Sequence, residues 1–161
     1  MNEKETAKIA QAVKDALGER RVRNAKTVTL TAANKIIAGV IREAQRIGVN
    51  AVAAVSDAFA NPVSIQCADN SFPASYDIAL NKSYTSAAMK MSTAQLKDLS
   101  RPGGSLYGIQ NTNANKIVIF GGGVPLKDGE TVAGALGVSG GTESEDTYLA
   151  EFGAALWEEL Q

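Results

Sequence analysis

Apolar residues recur at helical spacing over much of the chain. Ile36, Ile37, Val40, Ile41, Ala44 and Ile47 share one stripe, the three-to-four-residue repeat of a helix with one buried face. Thr31 is placed to cap that helix, and Gly48 to end it in a left-handed conformation. An earlier stripe of Ile9, Val13, Ala16 and Leu17 predicts a short amphipathic helix from Glu3 to Leu17, stopped by Gly18. A third helix opens at Ser75 and runs to about Lys90, with Ile78, Ala79, Ala87, Ala88 and Met91 among its apolar positions. Ser92 and Gln95 have capping-box spacing for a brief following helix, which Arg101-Pro102-Gly103-Gly104 ends. Thr142 and Glu145 repeat that spacing before a final helix whose expected buried side is Leu149, Phe152, Leu156 and Leu160.

Between the helices the pattern shortens. Ala51 to Val55 is a run of small apolar residues that predicts a central strand. A turn over Ser56 to Pro62 joins it to a second strand, Val63 to Ala68, as a hairpin. Lys116 to Phe120 is apolar and rich in β-formers. Val124-Pro125-Leu126, the turn Lys127 to Glu130, and a strand from Thr131 to Val138 follow. The order helix, hairpin, helices, hairpin, helix predicts an α+β domain with one antiparallel sheet packed on helices. Residues 19–26, ERRVRNAK, read as a polar, basic linker. The chain therefore divides into a helix and linker over 1–26 and a domain over 27–161.

Composition narrows the chemistry. The chain has 161 residues, 45% hydrophobic and 20% charged, which suits one globular domain. Its 16 basic and 17 acidic residues leave a net charge of -1, against the concentrated positive surface of a nucleic-acid binder. There is no histidine and a single cysteine, Cys67. That excludes catalysis by an imidazole base, histidine ligation of haem, a Cys/His structural zinc site and an internal disulfide. The lone thiol fits a reducing cytosol. No apolar run reaches membrane-spanning length, and the first residues, MNEKETAKIAQ, lack the apolar core of a secretory signal. The expectation is a cytoplasmic protein with no nucleic-acid or membrane partner.

Two glycine-rich turns are the most pointed local features. Gly121-Gly122-Gly123 exposes backbone N–H groups to a closely approaching ligand, or simply makes a tight or bulged turn. Ser139-Gly140-Gly141-Thr142 ends a strand and opens a helix, the arrangement that offers free amides to a carboxylate or phosphate. Glu143, Glu145 and Asp146 sit in the same first turn, where they complement the helix dipole and repel an anion. No pair of acids stands out for acid–base work; Asp57, at a strand end, is the single carboxylate candidate. No GxxxxGK[ST] nucleotide loop occurs.

Gly121-Gly122-Gly123-Val124-Pro125-Leu126, then Ala135-Leu136-Gly137-Val138-Ser139-Gly140-Gly141-Thr142, then Glu145-Asp146, form a distinctive series. Upstream stand Leu30-Thr31, the strand Val52 to Asp57, and the helix Ile78-Ala79-Leu80-Asn81-Lys82-Ser83-Tyr84-Thr85-Ser86-Ala87. Together, over about residues 27–160, they resemble the GlcG-like or haem-degrading family, which includes HbpS and the C-terminal domain of PduO. The resemblance implies a profilin-like fold, a five-stranded antiparallel sheet with helices on both faces, and a homo-oligomer. It also implies haem or corrinoid (cobalamin) binding and a link to bacterial microcompartments. The haem-binding members offer a histidine to iron, and this sequence has none. The remaining candidate iron ligands are Met89, Met91, Cys67, Tyr76, Tyr84 and the lysines, with Tyr84 on the matched helix placed best. The methionines read better as core filler, and Cys67, at the end of an apolar strand, as a small buried hydrophobe.

These features point to a non-catalytic protein that binds a tetrapyrrole or a small anionic metabolite near the glycine turns. The expected ligand-binding residues are Gly121, Gly122, Gly123, Ser139, Gly140, Gly141, Thr142, Asp57 and Tyr84. An enzyme that degrades haem or modifies a corrinoid is the alternative. A third reading gives the first helix an assembly role inside a microcompartment, with Ile9, Val13 and Leu17 as anchors in a partner's groove.

Overall fold

A computed structural model describes residues 3–17 and 27–161. Helix α1 spans Glu3–Leu17, and Ile9 on it is 53% exposed. The side chains of Val13 and Leu17, the other two expected anchors, lie outside the described residues.

The domain follows the order α2 (Leu30–Arg46), β1 (Val52–Asp57), β2 (Pro62–Cys67), α3 (Ala74–Met89), α4 (Thr93–Ser100), β3 (Gly123–Asp128), β4 (Thr131–Ser139) and α5 (Glu143–Glu159). The strands form one antiparallel sheet in the order β2-β1-β4-β3. Both short hairpins of the sequence reading are present, and β1 and β4 pair across the middle. Each predicted capping box is formed, Ser92 with Gln95 and Thr142 with Glu145.

Alternation along the strands sends two unlike sets of residues to the two faces. Ala53, Val55, Val124, Leu126, Leu136 and Val138 meet Ile36, Ile37 and Val40 of α2 and Leu149 and Trp157 of α5 in the main apolar core. The opposite face is covered by α3 and is made of small residues: Val52, Ala54 and Ala79 are its apolar cluster. Ser56 and Ser83 are fully buried there and share a 2.7 Å hydrogen bond between their hydroxyls.

Several expectations need correction. The sheet has four strands among the described residues, not five. Lys116 to Phe120 does not join it, because Thr85 on α3 takes over its backbone: Val118 N donates to Thr85 Oγ1 at 2.9 Å, and that hydroxyl approaches Lys116 O at 3.3 Å. Ile117 is still buried, so the apolar pattern was a packing signal and not a pairing signal. Helix α2 is capped by Thr29, whose hydroxyl accepts from Ala32 N, and not by Thr31. In α5 the buried side includes Gly153 and Trp157, while Leu160 is 42% exposed at the helix end.

Candidate functional site

The glycine turns, the start of α5 and the start of α3 converge at the end of β4. A cleft of about 290 Å³ opens there, lined by Phe72, Ala74, Ser75 and Ile78 on one side and by Phe120, Glu143 and Asp146 on the other. Ser139, Gly140 and Gly141 make its floor. Phe72 is 68% exposed and Phe120 39%, so two aromatic side chains stand at the mouth with water on them. Ser139 and Ser75 are buried deeper, and Ser139 donates to the Ser75 hydroxyl at 3.1 Å.

Behind this wall lies a charged pair that the sequence reading left without a role. Lys82 projects from α3 and is fully buried; Asp146, in the first turn of α5, is nearly so. Lys82 Nζ donates to Asp146 Oδ2 and to Val138 O, each at 2.8 Å. The same ammonium lies 4.9 Å from the centroid of the Phe120 ring, within reach of a cation–π attraction. Burial holds the Lys82 pKa below its usual value, while the charges of Asp146 and Glu143 pull the other way.

The triple glycine makes this arrangement possible. A Cβ on Gly122 would lie 2.6 Å from Lys82 Nζ and 2.8 Å from both Asp146 Cβ and Val138 O, and its φ of +109° is itself hostile to a side chain. Gly137 on β4 leaves the room that Ala79 O and Ser83 N of α3 occupy. The glycine series is therefore the backbone lid and bed of the Lys82–Asp146 pair.

Four amides at this end have protein partners. Gly121 N donates to Glu143 Oε1 at 2.9 Å, Gly123 N to Thr93 Oγ1 at 2.9 Å, and Gly141 N to Asp146 Oδ1 at 2.9 Å. Thr142 N donates to Glu145 Oε2 at 2.7 Å, and Thr142 Oγ1 accepts from Glu145 N. Hydrogen bonds from Lys97 and Gly121 lower the Glu143 pKa, and those from Thr142 lower that of Glu145, so both stay ionised at neutral pH.

Of the expected site residues, Ser139, Gly140 and Gly141 line the cleft, and Gly121, Gly122, Gly123 and Thr142 stand just behind or beside it. Asp57 is elsewhere, at the end of β1, where its carboxylate accepts from Phe59 N and Asn61 N of the following turn at 2.8 and 2.9 Å. Tyr84 also lies away from the cleft; its hydroxyl accepts from Asn113 Nδ2 at 3.1 Å, and Lys116 Nζ sits 5.6 Å from its ring. The reading missed Phe72, Phe120, Ile78 and Ser75 at the cleft. The available signal for Lys82 was a lone lysine in a helix whose other buried residues, Ser75, Ala79, Ser83, Thr85, Ser86 and Ala87, are all small.

Residues 28–155 match the family described as haem degrading protein HbpS-like. The chain belongs to this family. A 15.0 kDa protein of Citrobacter freundii from the dhaT-dhaS intergenic region is 44% identical over 134 residues, covering 83% of this chain and 94% of that one. The crystal structure of Klebsiella pneumoniae protein ORFY superposes with a TM-score of 0.85 at 39% identity, covering 89% and 99% of the two chains. The third relative is PduO. The corrinoid adenosyltransferase PduO of Salmonella typhimurium is 30% identical over 118 residues, 73% of this chain but 35% of its own length. A PduOC–haem complex superposes with a TM-score of 0.77 at 28% identity, covering 81% of this chain and 94% of that one.

Haem would need an axial donor, and the cleft does not supply one. None of its lining residues carries an imidazole, thiolate, thioether or phenolate. The nearby Lys82 amine is engaged by two oxygens and an aromatic face. Among the described residues there is no cluster of three or more acid or cysteine side chains for a metal ion, and no helix long and apolar enough to cross a membrane.

Proposed function

We propose that this chain is a non-catalytic ligand-binding or accessory protein, and that it holds one edge of a flat, largely apolar ligand of tetrapyrrole type in the cleft. The observation that carries this reading is the pair of water-exposed aromatic side chains, Phe72 and Phe120, that line one cleft together with Ser139 to Gly141. Aromatic side chains left in water beside a preformed cavity gain by stacking on a flat partner. The haem and corrinoid chemistry of the PduO relatives supports the same ligand class. The ligand is bound by contact and not by coordination.

Titration with protoporphyrin IX, haemin and cyanocobalamin, followed by absorbance and calorimetry, tests this. Saturable binding by at least one is expected, weakened about tenfold by Phe72→Ala. No response to any of them, or binding indifferent to Phe72→Ala and Phe120→Ala alike, overturns it.

A second reading is favoured by α1. An apolar side chain such as Ile9, 53% exposed on an amphipathic helix, suits a groove on another protein, such as microcompartment shell or cargo or a further copy of this chain. Residues 1–20 fused to a fluorescent reporter should concentrate in cells that make shells; a diffuse reporter sinks the microcompartment version, and light scattering on the whole protein tests self-association.

A further inference from the structure

Resting on the cleft reading above, we propose that the cleft selects a neutral, carboxamide-bearing edge over a carboxylate-bearing one, favouring corrinoid-like amide side chains over porphyrin propionates. Three sets of contacts lead there. The charged side chains lining the cleft, Glu143 and Asp146, are both acids, and no lysine or arginine lines it. Three backbone donors at the helix start and glycine turns already serve acids: Gly121 N serves Glu143, Gly141 N serves Asp146 and Thr142 N serves Glu145. Both ammoniums on these acids are held: Lys82 is fully buried behind the wall among Asp146, Val138 O and the Phe120 ring, and Lys97, outside the lining, donates to Glu143 Oε2 at 2.7 Å.

A carboxylate entering this cleft would leave water to face two ionised acids, with serine hydroxyls as the only donors among the lining side chains, a costly transfer. A carboxamide differs in carrying its own N–H groups. Glu143 and Asp146 each hold acceptor capacity beyond the bonds already made, because a carboxylate offers about four lone-pair sites. The buried Ser75 and Ser139 hydroxyls complete a surface that can both accept and donate. The two acids are thus specificity determinants as well as capping residues.

The decisive probes share one macrocycle and differ in charge: protoporphyrin IX and its bis-amide, in which both propionates are carboxamides. The bis-amide should bind at least tenfold more tightly. Glu143→Gln, which keeps an acceptor for Gly121 N and removes the charge, should raise the affinity of the diacid several-fold and narrow the gap. Equal or tighter binding of the diacid overturns the proposal, as does a gap unchanged by Glu143→Gln. A smaller pair, benzamide and benzoate, is read by ligand-observed NMR with Phe72→Ala as the control. If benzamide binds and benzoate does not, while neither macrocycle binds, the amide preference stands and the tetrapyrrole reading falls. If neither member of either pair binds, both readings fall.

Discussion

The two faces of the sheet solve the same covering problem with opposite materials. Toward α2 and α5 the strands present Val55, Leu126, Leu136 and Val138, large side chains that hold the helices off and fill the space with hydrocarbon. Toward α3 they present Ser56, Gly123, Gly137 and Ser139, and the helix answers with Ala79, Lys82, Ser83 and Ser86, so backbones come almost into contact. The first face is tolerant, because hydrophobic volume can be redistributed. The second has no slack, and it buries a charge. The cleft opens at the end of the second face, where close backbone approach gives it a rigid floor.

Breaking the buried pair gives the largest expected effect. Lys82→Ala leaves Asp146 as an unpaired buried acid and should cost about 3–5 kcal/mol in urea denaturation. The double variant Lys82→Met with Asp146→Asn should recover most of that; a single variant that costs under about 1 kcal/mol would show the pair to be incidental. On the apolar face, Leu136→Ala should cost about 3 kcal/mol by the same measurement while sparing any ligand affinity, since the side chain points away from α3. Gly122→Ala should cost roughly 1–3 kcal/mol from its left-handed φ, with more from the clash against Lys82. Unlike Leu136→Ala, it should also disturb the Phe120 wall, read as weaker ligand binding.

The smallest effect concerns the outer layer, where α2 and α5 are clasped at the surface. Glu43 accepts from Arg46 at 2.7 and 2.9 Å and from Tyr148 Oη at 2.6 Å, contacts that lower its pKa from 4.5 to about 2. The folded form binds its proton less readily than the unfolded form. This contribution is therefore complete above pH 4.5 and is lost as the pH falls toward 2. Water screens the site, so the loss is slight. Tyr148→Phe should flatten the acid limb of stability against pH by a measurable but minor amount; an unchanged limb would show that the clasp does not act.

Periodicity made α2, α3, α4, α5 and both hairpins legible, because each buries one side or closes on short turn chemistry. The glycine series made the family legible for a related reason: backbone contact permits few residues, so the motif is narrow. The cleft was only half legible. Ser139 to Gly141 were visible as a strand-to-helix turn, but Phe72 and Phe120, 48 positions apart in sequence, look like ordinary aromatics until folding sets them across one opening. Asp57 and Tyr84 do not line the cleft. The Asp57 carboxylate is bound within its own turn, and the Tyr84 hydroxyl accepts from Asn113, 29 residues along the chain.

By itself the sequence determined the α+β class, the element order, the helix caps at Ser92 and Thr142 and the absence of any imidazole. All of these depend on local spacing or on composition. Tertiary structure alone decided that Lys116 to Phe120 lies outside the sheet, that the glycines lie over Lys82, and that Asp146 is its partner 64 residues away. It also decided that Gly121 N, Gly141 N and Thr142 N donate to Glu143, Asp146 and Glu145. Pairing a charge, and choosing which donors remain free, are satisfied by whichever distant group folding brings within about 3 Å, and no local pattern encodes that.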